Sequence, residues 1–549
     1  MYPPRAADAT AWRAPQPHPC LAACLAQFHG MDAASQAGAP ERARASRTVG
    51  LAVAAGIVLL HLAVNLTSPY GFQRDELLYF GMGRHLQFWR MDFPPFIAVV
   101  ANLSQALLGE SAVAMRFVSA LAAAAIAYLA ISVARRLGGR TYAQLLTAVC
   151  LLTAPLYLRA GNLYQPTVLD QLWWTLGLYT LVRLQESGDR RWWIALGLAG
   201  GIGLLTKFSI AFFGFSVLVA LIVTQDRRAL ATRWPWLTLL IALALGSPSL
   251  VGQLRLSFPL VGQLRELQAV QLTRLTPLDF TLGQLLLVGP AFAIAVAGVA
   301  ALLVSRRWRH LRVVGWTAVA AYATLLLLHG KHYYLGPIYP VLFGVGAVLV
   351  ERAWSGTRAR ILRVTVLAPP LAFGLVLLPM GLPILPPPRM EAFTRSLGLT
   401  ALVNQTNTGQ VLRLPQDYAD MLGWEDRVAA VSRVYHALDP ARRAQAVIWG
   451  NNWGEAGALD FYGPRYGLPG VVSANGSYWF FGPGTLPGTV VVTLGVREAD
   501  LRHFFERVTF AERITNDWTV PEEQDITVYV CEGPRGTLQQ AWPEWAGRN

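Results

Sequence analysis

The amino-acid sequence predicts a polytopic α-helical membrane protein of about eleven transmembrane helices, followed by a C-terminal α/β domain outside the membrane. The first observation is composition, since 54% of the 549 residues are apolar and only 14% are charged. The second is that uncharged stretches of roughly 18–20 residues, the length that crosses a bilayer, recur along the first 380 residues. One such stretch can be a buried helix of a soluble protein, but ten or more cannot.

Eleven apolar runs are predicted to span the membrane. They lie at 50–66, 115–134, 142–158, 164–182, 192–206, 208–224, 235–253, 284–304, 313–329, 335–350 and 361–379. The interval 192–224 fits either one long helix or two short ones. Two helices that turn at Thr206 and Lys207 keep both flanking arginine pairs on one side of the membrane. Basic residues concentrate in cytoplasmic loops, so two helices are the better interpretation.

Arginine is distributed unequally between alternate loops. The loops at 135–140, 183–191, 227–233, 306–312 and 352–363 carry 17 arginines, whereas the alternate loops carry nine Lys or Arg. This asymmetry predicts a cytoplasmic N-terminus and a periplasmic C-terminal domain. The net charge of +14 is explained by these loops and does not indicate nucleic-acid binding.

Three segments are predicted along the chain. Residues 1–48, rich in Ala, Pro and Arg, form a disordered cytoplasmic tail. Residues 49–380 form the transmembrane domain, with the first periplasmic loop at 67–114. After a proline-rich linker, residues 381–549 form the periplasmic domain, in which strands and helices alternate. Its predicted elements are a helix at 423–437, the strands "AVIWG", "TVVVTLGV" and "DITVYVC", and a helix "EADLRHFFERV".

The first loop concentrates charge beside apolar residues, in the stretch "QRDELLYFGMGRHLQFWRMDFPPF" (73–96). Asp75 and Glu76 are adjacent, and Asp92 precedes a Pro-Pro pair that turns the chain sharply back toward them. A solvated loop is the usual explanation for adjacent carboxylates. Here the apolar neighbours predict an amphipathic helix along the membrane surface. Carboxylates held at that boundary are costly, so we expect one to act as a general base on a hydroxyl or amine.

Isolated polar residues of later spans are predicted on the same outer face. Asp170 lies in the fourth span, Lys207 at the tight turn, and Lys331 and His332 before the tenth span. Each alone is explained by a snorkelling lysine or a structural histidine. Together, carboxylates and cations on one face suit an anionic lipid phosphate bound beside an acceptor that must lose a proton.

At these residues the chain resembles the family 39 glycosyltransferases, GT-C membrane enzymes related to the protein O-mannosyltransferases and to the lipid A aminoarabinose transferase. The stretches "RDELLYFGMGRHL…DFPPF", "GLLTKFSI" and "GKHYYLGPIYP" carry the resemblance, which covers about residues 50–350. It implies that Asp75 is the catalytic base, with Glu76 as its acidic neighbour. The residues implied at the phosphate of a polyprenyl donor are Arg74, Lys207, Lys331 and Tyr334, and the further site candidates are Asp92, Asp170 and His332.

The resemblance also implies the reaction. A hexosyl or pentosyl group would move from a polyprenyl-phosphate sugar to a lipid, glycan or protein acceptor on the periplasmic face of a bacterial inner membrane, in one inverting displacement. No obligatory cofactor is expected, although the carboxylates of the first loop leave binding of a divalent cation as an alternative. The alternative from another class is a transporter or flippase that uses Asp75 and Asp170 for ion coupling. The sequence shows no convincing internal repeat to support that alternative.

Overall fold

The computed structural model describes residues 39–274, 276–353 and 357–545. The described residues from Gly50 onward form one compact unit. Most of the predicted disordered tail, residues 1–38, lies outside the described residues, and the first described helix begins at Ala39. The predicted boundaries at 48 and 380 remain predictions.

The first two thirds of the described chain are helical, because long apolar runs leave backbone hydrogen bonding within the helix as the stable arrangement in lipid. The helices are α1 (Ala39–Thr67), α2 (Arg74–Arg84), α3 (Phe96–Leu108), α4 (Ala112–Arg136), α5 (Thr141–Leu152), α6 (Pro155–Asn162), α7 (Pro166–Ser187), α8 (Arg191–Thr206), α9 (Ile210–Val223), α10 (Arg233–Arg255), α11 (Pro259–Val270), α12 (Pro277–Val288), α13 (Ala291–Val304), α14 (Arg312–Leu327), α15 (Tyr339–Ala353) and α16 (Thr357–Val376). The 3₁₀ segments Gln225–Ala231, Leu272–Arg274, Arg309–Leu311 and His332–Ile338 join some of them.

Within the described residues, six helices are long and apolar enough to cross a membrane, or up to nine segments if each sharply bent helix pair is one span. The bends are 66° between α5 and α6, 110° after α9, and 111° between α12 and α13. Pro155 and Pro290 stand at two of these breaks, where a proline cannot continue the preceding helix. The multi-span helical class is confirmed. The count of eleven remains a prediction, since it also requires α7 and α8 to cross.

The predicted interruption of the interval 192–224 is present. Helix α8 ends at Thr206 and α9 begins at Ile210, so residues 207–209 form a break between two short apolar helices. We refer to residues 206–209 as the Lys207 break. It places a lysine between two apolar segments, where its ammonium group has few local partners.

The C-terminal part surrounds a five-stranded sheet with short helices. The helices are α17 (Leu378–Gly381), α18 (Pro387–Ser396), α19 (Thr400–Val403), α20 (Gln416–Ala419), α21 (Trp424–Ala437), α22 (Pro440–Ala444), α23 (Trp453–Tyr462), α24 (Ser477–Phe481), α25 (Glu498–Phe504) and α26 (Leu538–Ala541). The 3₁₀ segments are Gly463–Tyr466, Pro521–Glu523 and Trp542–Trp545. The strands are β1 (Ala446–Gly450), β2 (Val471–Val472), β3 (Val490–Leu494), β4 (Phe505–Thr515) and β5 (Asp525–Pro534).

The strand order is β2-β1-β3-β5-β4, with β2, β1 and β3 parallel and the remaining pairs antiparallel. The predicted α/β class and the three predicted strands are therefore confirmed. The predicted helix "EADLRHFFERV" is partly wrong, because the helix ends at Phe504 and strand β4 begins at Phe505. Pairing with β5 favours the strand there, since tertiary contacts override a short helical pattern.

Helix α2 is not the half-exposed amphipathic helix that was predicted, whereas its place relative to the membrane surface remains a prediction. Glu76–Gly83 are all buried, because α2 is covered by α3 and by α23 of the C-terminal part. A Cβ atom at Gly457 of α23 would lie 2.7 Å from the carbonyl carbon of Leu77, so glycine permits this close packing. The rings of Phe80 and Phe461 are 5.0 Å apart in the shared core. The first loop and the sheet part thus pack directly on each other.

Candidate active site

A capping box begins α2 and positions Asp75 in its first turn. The Gln73 side chain accepts a hydrogen bond from the Asp75 backbone N–H at 2.8 Å, and the Gln73 backbone N–H donates to Glu76 Oε2 at 2.7 Å. These two bonds satisfy backbone donors that a helix start otherwise leaves unpaired. The backbone at residue 75 is therefore held in place independently of its carboxylate.

Glu76 is occupied by structural contacts. Its carboxylate forms a bidentate pair with Arg116 of α4, with distances of 2.8 Å to Nε and 2.5 Å to an Nη atom. It also accepts the backbone N–H of Tyr164 at 2.7 Å. Both charged side chains are fully buried, and Arg116 also donates to Asn65 and to the Gly71 carbonyl. This network joins α1, the first loop, α4 and the start of α7, which supports a positioning role for Glu76.

The Asp75 carboxylate faces the C-terminal part. Trp453 Nε1 donates to Asp75 Oδ1 at 3.4 Å, at the long end of hydrogen-bond distances. Burial raises the pKa of Asp75 above the usual aspartate range, while the charges of Arg74 and Lys331 and the Trp453 bond oppose the rise. A carboxylate with a raised pKa is a stronger base, and within the described residues this one has a single weak hydrogen bond to lose when it accepts a proton.

Arg74 is paired with carboxylates of the C-terminal part. Its Nε atom is 3.8 Å from Asp420 Oδ1 and an Nη atom is 3.4 Å from Glu522 Oε1. Its guanidinium carbon lies 5.1 Å from the centre of the Trp453 ring. Burial raises the pKa of Asp420 to about 7, although Arg74 opposes the rise. Arg74 thus holds Trp453 and Asp420 beside Asp75, in addition to its proposed contact with a donor.

Helix α7 fixes both sides of the Lys207 break. Ser209 donates its hydroxyl to Asp170 Oδ2 at 2.9 Å, and Trp174 donates to the other oxygen, Oδ1, at 3.1 Å. Trp173 Nε1 donates to the hydroxyl of Thr206 at 2.9 Å. Asp170 is buried, and these bonds explain how a carboxylate is tolerated there. Asp170 therefore supports the break that presents Lys207.

The ammonium group of Lys207 lies over two tyrosine rings. It is 4.6 Å from the ring centre of Tyr334 and 5.4 Å from that of Tyr333, within the range of cation–π attraction. Lys331 is close enough for its charge to act on both Asp75 and Lys207, and burial together with Lys207 lowers the pKa of Lys331. Among the residues that the structure describes, neither lysine has a carboxylate oxygen within 4.0 Å.

These are the only two lysines of the chain. The other 44 of the 46 Lys and Arg residues are arginine, and both lysines occur in this one cluster. A compact ammonium group with three donors differs from a planar guanidinium in how it contacts an anion. All other basic Lys and Arg positions of the sequence are arginine, and the two lysines lie together where Lys331 acts on Asp75 and Lys207 acts on Lys331. The sequence shows that there are two lysines, but only the structure brings them together and places Lys331 within reach of Asp75.

Two predicted site residues take part in other contacts. Asp92 accepts the Ser477 hydroxyl on Oδ2 at 2.8 Å, and its buried Oδ1 has no partner in the described chain. Burial raises the pKa of Asp92 to about 6. The ring of His332 packs at Gly283 of α12, and its carbonyl accepts Gln284. Neither is among the charged groups that act most strongly on Asp75.

Four residues near Asp75 were not identified from the sequence: Arg116, Trp453, Asp417 and Asp420. An arginine inside the apolar run 112–134 was a detectable signal, since such a charge requires a partner. The other three come from the C-terminal part, and only the packing of α23 and α20 against the first loop brings them near. No group of three or more His, Cys, Asp or Glu side chains suited to a metal occurs among the described residues.

The fold is shared with solved membrane transferases. Crystal structures of ArnT from Cupriavidus metallidurans, bound to undecaprenyl phosphate and in the apo state, align with TM-scores of 0.55 and 0.56. In both alignments 16% of the residues are identical, and the aligned part covers 88% of this chain and 97% of the ArnT chain. At this identity the likeness shows the fold. It is the fold of the GT-C membrane glycosyltransferases, which confirms the class predicted from the first loop.

Within that class, residues 92–251 match the family model of the dolichyl-phosphate-mannose-protein mannosyltransferases. The alignment with the crystal structure of the Archaeoglobus fulgidus oligosaccharyltransferase has a TM-score of 0.44, with 12% identity over 76% of this chain and 64% of the other. None of the curated proteins matches the sequence. The chain thus has the GT-C fold of membrane glycosyltransferases with several apolar helices, and its segment 92–251 is similar to the protein mannosyltransferases.

Proposed function

We propose that the protein transfers a sugar from a polyprenyl-phosphate sugar to an acceptor at the extracytoplasmic face of the plasma membrane. The observation that carries the proposal is the cluster of Lys207 and Lys331 near the partly buried Asp75, because neither cation has a carboxylate oxygen within 4.0 Å in the described chain. Unpaired cations in such a setting favour an anionic ligand. The undecaprenyl phosphate in the ArnT crystal structure is a ligand of the proposed kind.

An apolar groove supports a lipid donor. It encloses about 430 Å³ between α8, α9 and α10, and its walls are almost entirely apolar. The lining reaches Leu204 and Ile210, which lie on either side of the Lys207 break. A polyprenyl chain in this groove would have its phosphate near Lys207, because the groove and the lysine share the same two helices. Binding energy from the tail would then position the reacting sugar.

The proposed mechanism is a single inverting displacement. Asp75 accepts the proton of the acceptor's nucleophilic hydroxyl or amine as that atom bonds to the anomeric carbon. The bond from this carbon to the phosphate oxygen breaks, and the electron pair leaves with the phosphate. Lys207 and Lys331 stabilise the added negative charge of the departing lipid phosphate. The carboxylate ends neutral, a state that its raised pKa favours.

The test of this function is the lipid that accompanies the protein. Purification in detergent followed by mass spectrometry of bound lipid should recover a polyprenyl phosphate or its glycosylated form. Incubation with that glycosylated lipid should then release free polyprenyl phosphate as the sugar moves to an acceptor extract. Absence of polyprenyl lipid, together with failure to consume an added polyprenyl-phosphate sugar, would contradict the proposal.

Replacing Lys207 should weaken donor binding without destabilising the protein. The expected loss for Lys207→Met is about 1.5–3 kcal/mol of binding free energy, the range for a hydrogen bond to a charged group. Lys207→Arg should rescue it only in part, because a planar fork contacts phosphate differently. Affinity for polyprenyl phosphate in detergent provides the measurement. A matched control is Arg265→Met, which removes an exposed cation from α11.

Because the chain has two lysines, an amine-directed reagent offers an independent test. Lys207 and Lys331 should be labelled in the free protein and protected by polyprenyl phosphate, as detected by peptide mass spectrometry. Equal labelling with and without the lipid, or equal affinity of wild type and Lys207→Met, would show that Lys207 only extends into water.

The proposed orientation has a cytoplasmic N-terminus and a periplasmic C-terminal part. It is supported by the 17 arginines in alternate loops, since such loops are retained in the cytoplasm. Reporter fusions after Arg140 and Arg312 should therefore report the cytoplasm, and fusions after Asp92 and Arg389 the periplasm. A cytoplasmic signal after Arg389 would mean that the number of spans before it is even.

A further inference from the structure

A pocket in the C-terminal part lies apart from Asp75 and the two lysines. It encloses about 450 Å³, which is within the range of about 300–1,000 Å³ for small-molecule sites. Its walls come from the ends of the parallel strands β1 and β3 and from α25, and include Trp449, Asn451, Asn475, Thr493 and Phe505. We refer to it as the sheet-edge pocket.

Its position in the sheet is one that favours ligands. From β1 the chain proceeds through α23 to β2, on one side, whereas from β3 it proceeds through α25 toward β4, on the other side. The connections after two adjacent parallel strands therefore diverge, and they leave a crevice at the carboxyl ends of the strands. Trp449 and Thr493 are direct partners in the β1–β3 register, so both strands contribute to the same end of the pocket.

Two buried polar atoms of the pocket have no hydrogen-bond partner within the described residues. Thr493 is 1% exposed, and its hydroxyl oxygen is unpaired, with only the weakly bonding thiol of Cys531 beside it. The side-chain oxygen of Asn475 is likewise buried and unpaired. Buried polar atoms normally find partners, so a ligand whose hydroxyl groups reach this end of the pocket would satisfy them.

The remaining walls carry no net charge. Arg497 and Asp500 are the charged residues of the pocket lining, and they pair with each other at 2.8 Å. The pocket thus offers amide and hydroxyl groups together with aromatic surface from Trp449 and Phe505. Saccharides combine apolar C–H faces, which pack on aromatic rings, with hydroxyl groups that both donate and accept. A neutral saccharide matches this set of groups.

Consecutive residues connect this pocket to Asp75. Asn452, in the pocket wall, caps α23 by accepting two backbone N–H groups at 2.9 and 3.0 Å, and donates to Glu523 at 2.8 Å. The next residue, Trp453, donates to Asp75. A ligand in the pocket therefore contacts the segment that carries the hydrogen-bond partner of Asp75.

We propose that the sheet-edge pocket binds a neutral saccharide unit of the acceptor. The identity of this ligand as an acceptor rests on the glycosyl transfer proposed above. The pocket then selects acceptors by a sugar outside the reacting centre, and its occupancy reaches Asp75 through Asn452 and Trp453.

Binding of simple glycosides to the full chain tests the pocket. The probes are the methyl glycosides of glucose, galactose, mannose, arabinose and N-acetylglucosamine, with the protein in a detergent that has no sugar headgroup. Saturation-transfer NMR should detect at least one of them. Thr493→Val removes one hydroxyl and keeps the shape, so it should weaken binding by about 2- to 10-fold, the value of one hydrogen bond. Combining it with Asn475→Ala should abolish the signal.

The matched control is Thr509→Val, which changes an exposed threonine of strand β4. It should leave glycoside binding unchanged. No signal from any probe, equal binding by the Thr493→Val/Asn475→Ala variant, or preference for a sugar phosphate or a peptide over the neutral probes would overturn the proposal. Affinity for polyprenyl phosphate, measured on the same samples, separates the two proposals. Glycoside binding without donor binding would contradict only the transferase function, and the converse only the saccharide pocket.

Discussion

Asp75→Asn should lower the rate of sugar transfer by about 10²–10⁴-fold, the usual contribution of a general base. The substitution keeps the shape of the side chain, and its amide oxygen can still accept the Trp453 hydrogen bond. What it loses is the ability to take a proton from the acceptor. Affinity for polyprenyl phosphate should change little, because Lys207 and Lys331 are retained.

The pH dependence distinguishes a base from a merely structural aspartate. Since burial raises the pKa of Asp75, the acid limb of kcat/KM should lie above the usual aspartate range and should disappear in the asparagine variant. Between the unfolded and folded pKa values the folded protein binds more protons, so Asp75 makes stability fall as pH rises through that window. Asp75→Asn should remove this decrease and should not destabilise the protein at neutral pH.

The control for Asp75 is Asp517→Asn, which makes the same chemical change at an exposed position of the C-terminal part. It should retain full transfer. Near-normal turnover of folded Asp75→Asn would contradict the assignment of the base. In that event Asp92 becomes the carboxylate to examine, because burial raises its pKa to about 6 and one of its oxygens is unpaired in the described chain.

Arg116→Met should destabilise the protein by about 3–5 kcal/mol, because it leaves the Glu76 carboxylate buried without its partner. The ion pair is fully buried. The same guanidinium group of Arg116 also contacts Asn65, the Gly71 carbonyl and the Phe72 ring. Adding Glu76→Gln should recover part of the loss, since the uncompensated charge is then removed. Unfolding of the detergent-solubilised protein provides the measurement.

A comparable substitution at an exposed ion pair provides the control. Arg433→Met removes the partner of Glu512 on the surface of the C-terminal part, and should cost about 0–1 kcal/mol. If Arg116→Met costs no more than Arg433→Met, the buried pair does not organise the first loop. Glu76→Gln alone should reduce transfer less than Asp75→Asn, because its effect on catalysis is through position.

Sequence reasoning succeeded where the physical constraint is local. Apolar length predicted helices across the membrane part, and the two-helix interpretation of 192–224 agrees with the break after Thr206. Runs of β-branched residues predicted β1, β3 and β5. The sharp bends between α5 and α6 and between α12 and α13 were missed, although Pro155 and Pro290 were visible at those places.

The charged residues were harder to assign, because their roles depend on partners far along the chain. Asp75 and Glu76 are adjacent and look alike in the sequence, yet Arg116 pairs with Glu76, 40 residues away, whereas Trp453 contacts Asp75 from 378 residues away. The helix that carries them was predicted on the membrane surface. It is buried because Gly457 lets α23 approach its backbone, a contact that no local pattern indicates.

The sequence by itself determined the class of protein, the helix break at Lys207, and the presence of a carboxylate and two lysines as candidates for one chemistry. These three conclusions rest on the length of apolar runs, on turn residues and on the electrostatic cost of a charge near lipid. Each of these signals can be read from a local stretch of sequence. The tertiary structure decided which carboxylate is paired and which remains available to a substrate. Burial and hydrogen bonding set the properties of a charged group, and both arise here from the packing of the C-terminal part on the first loop.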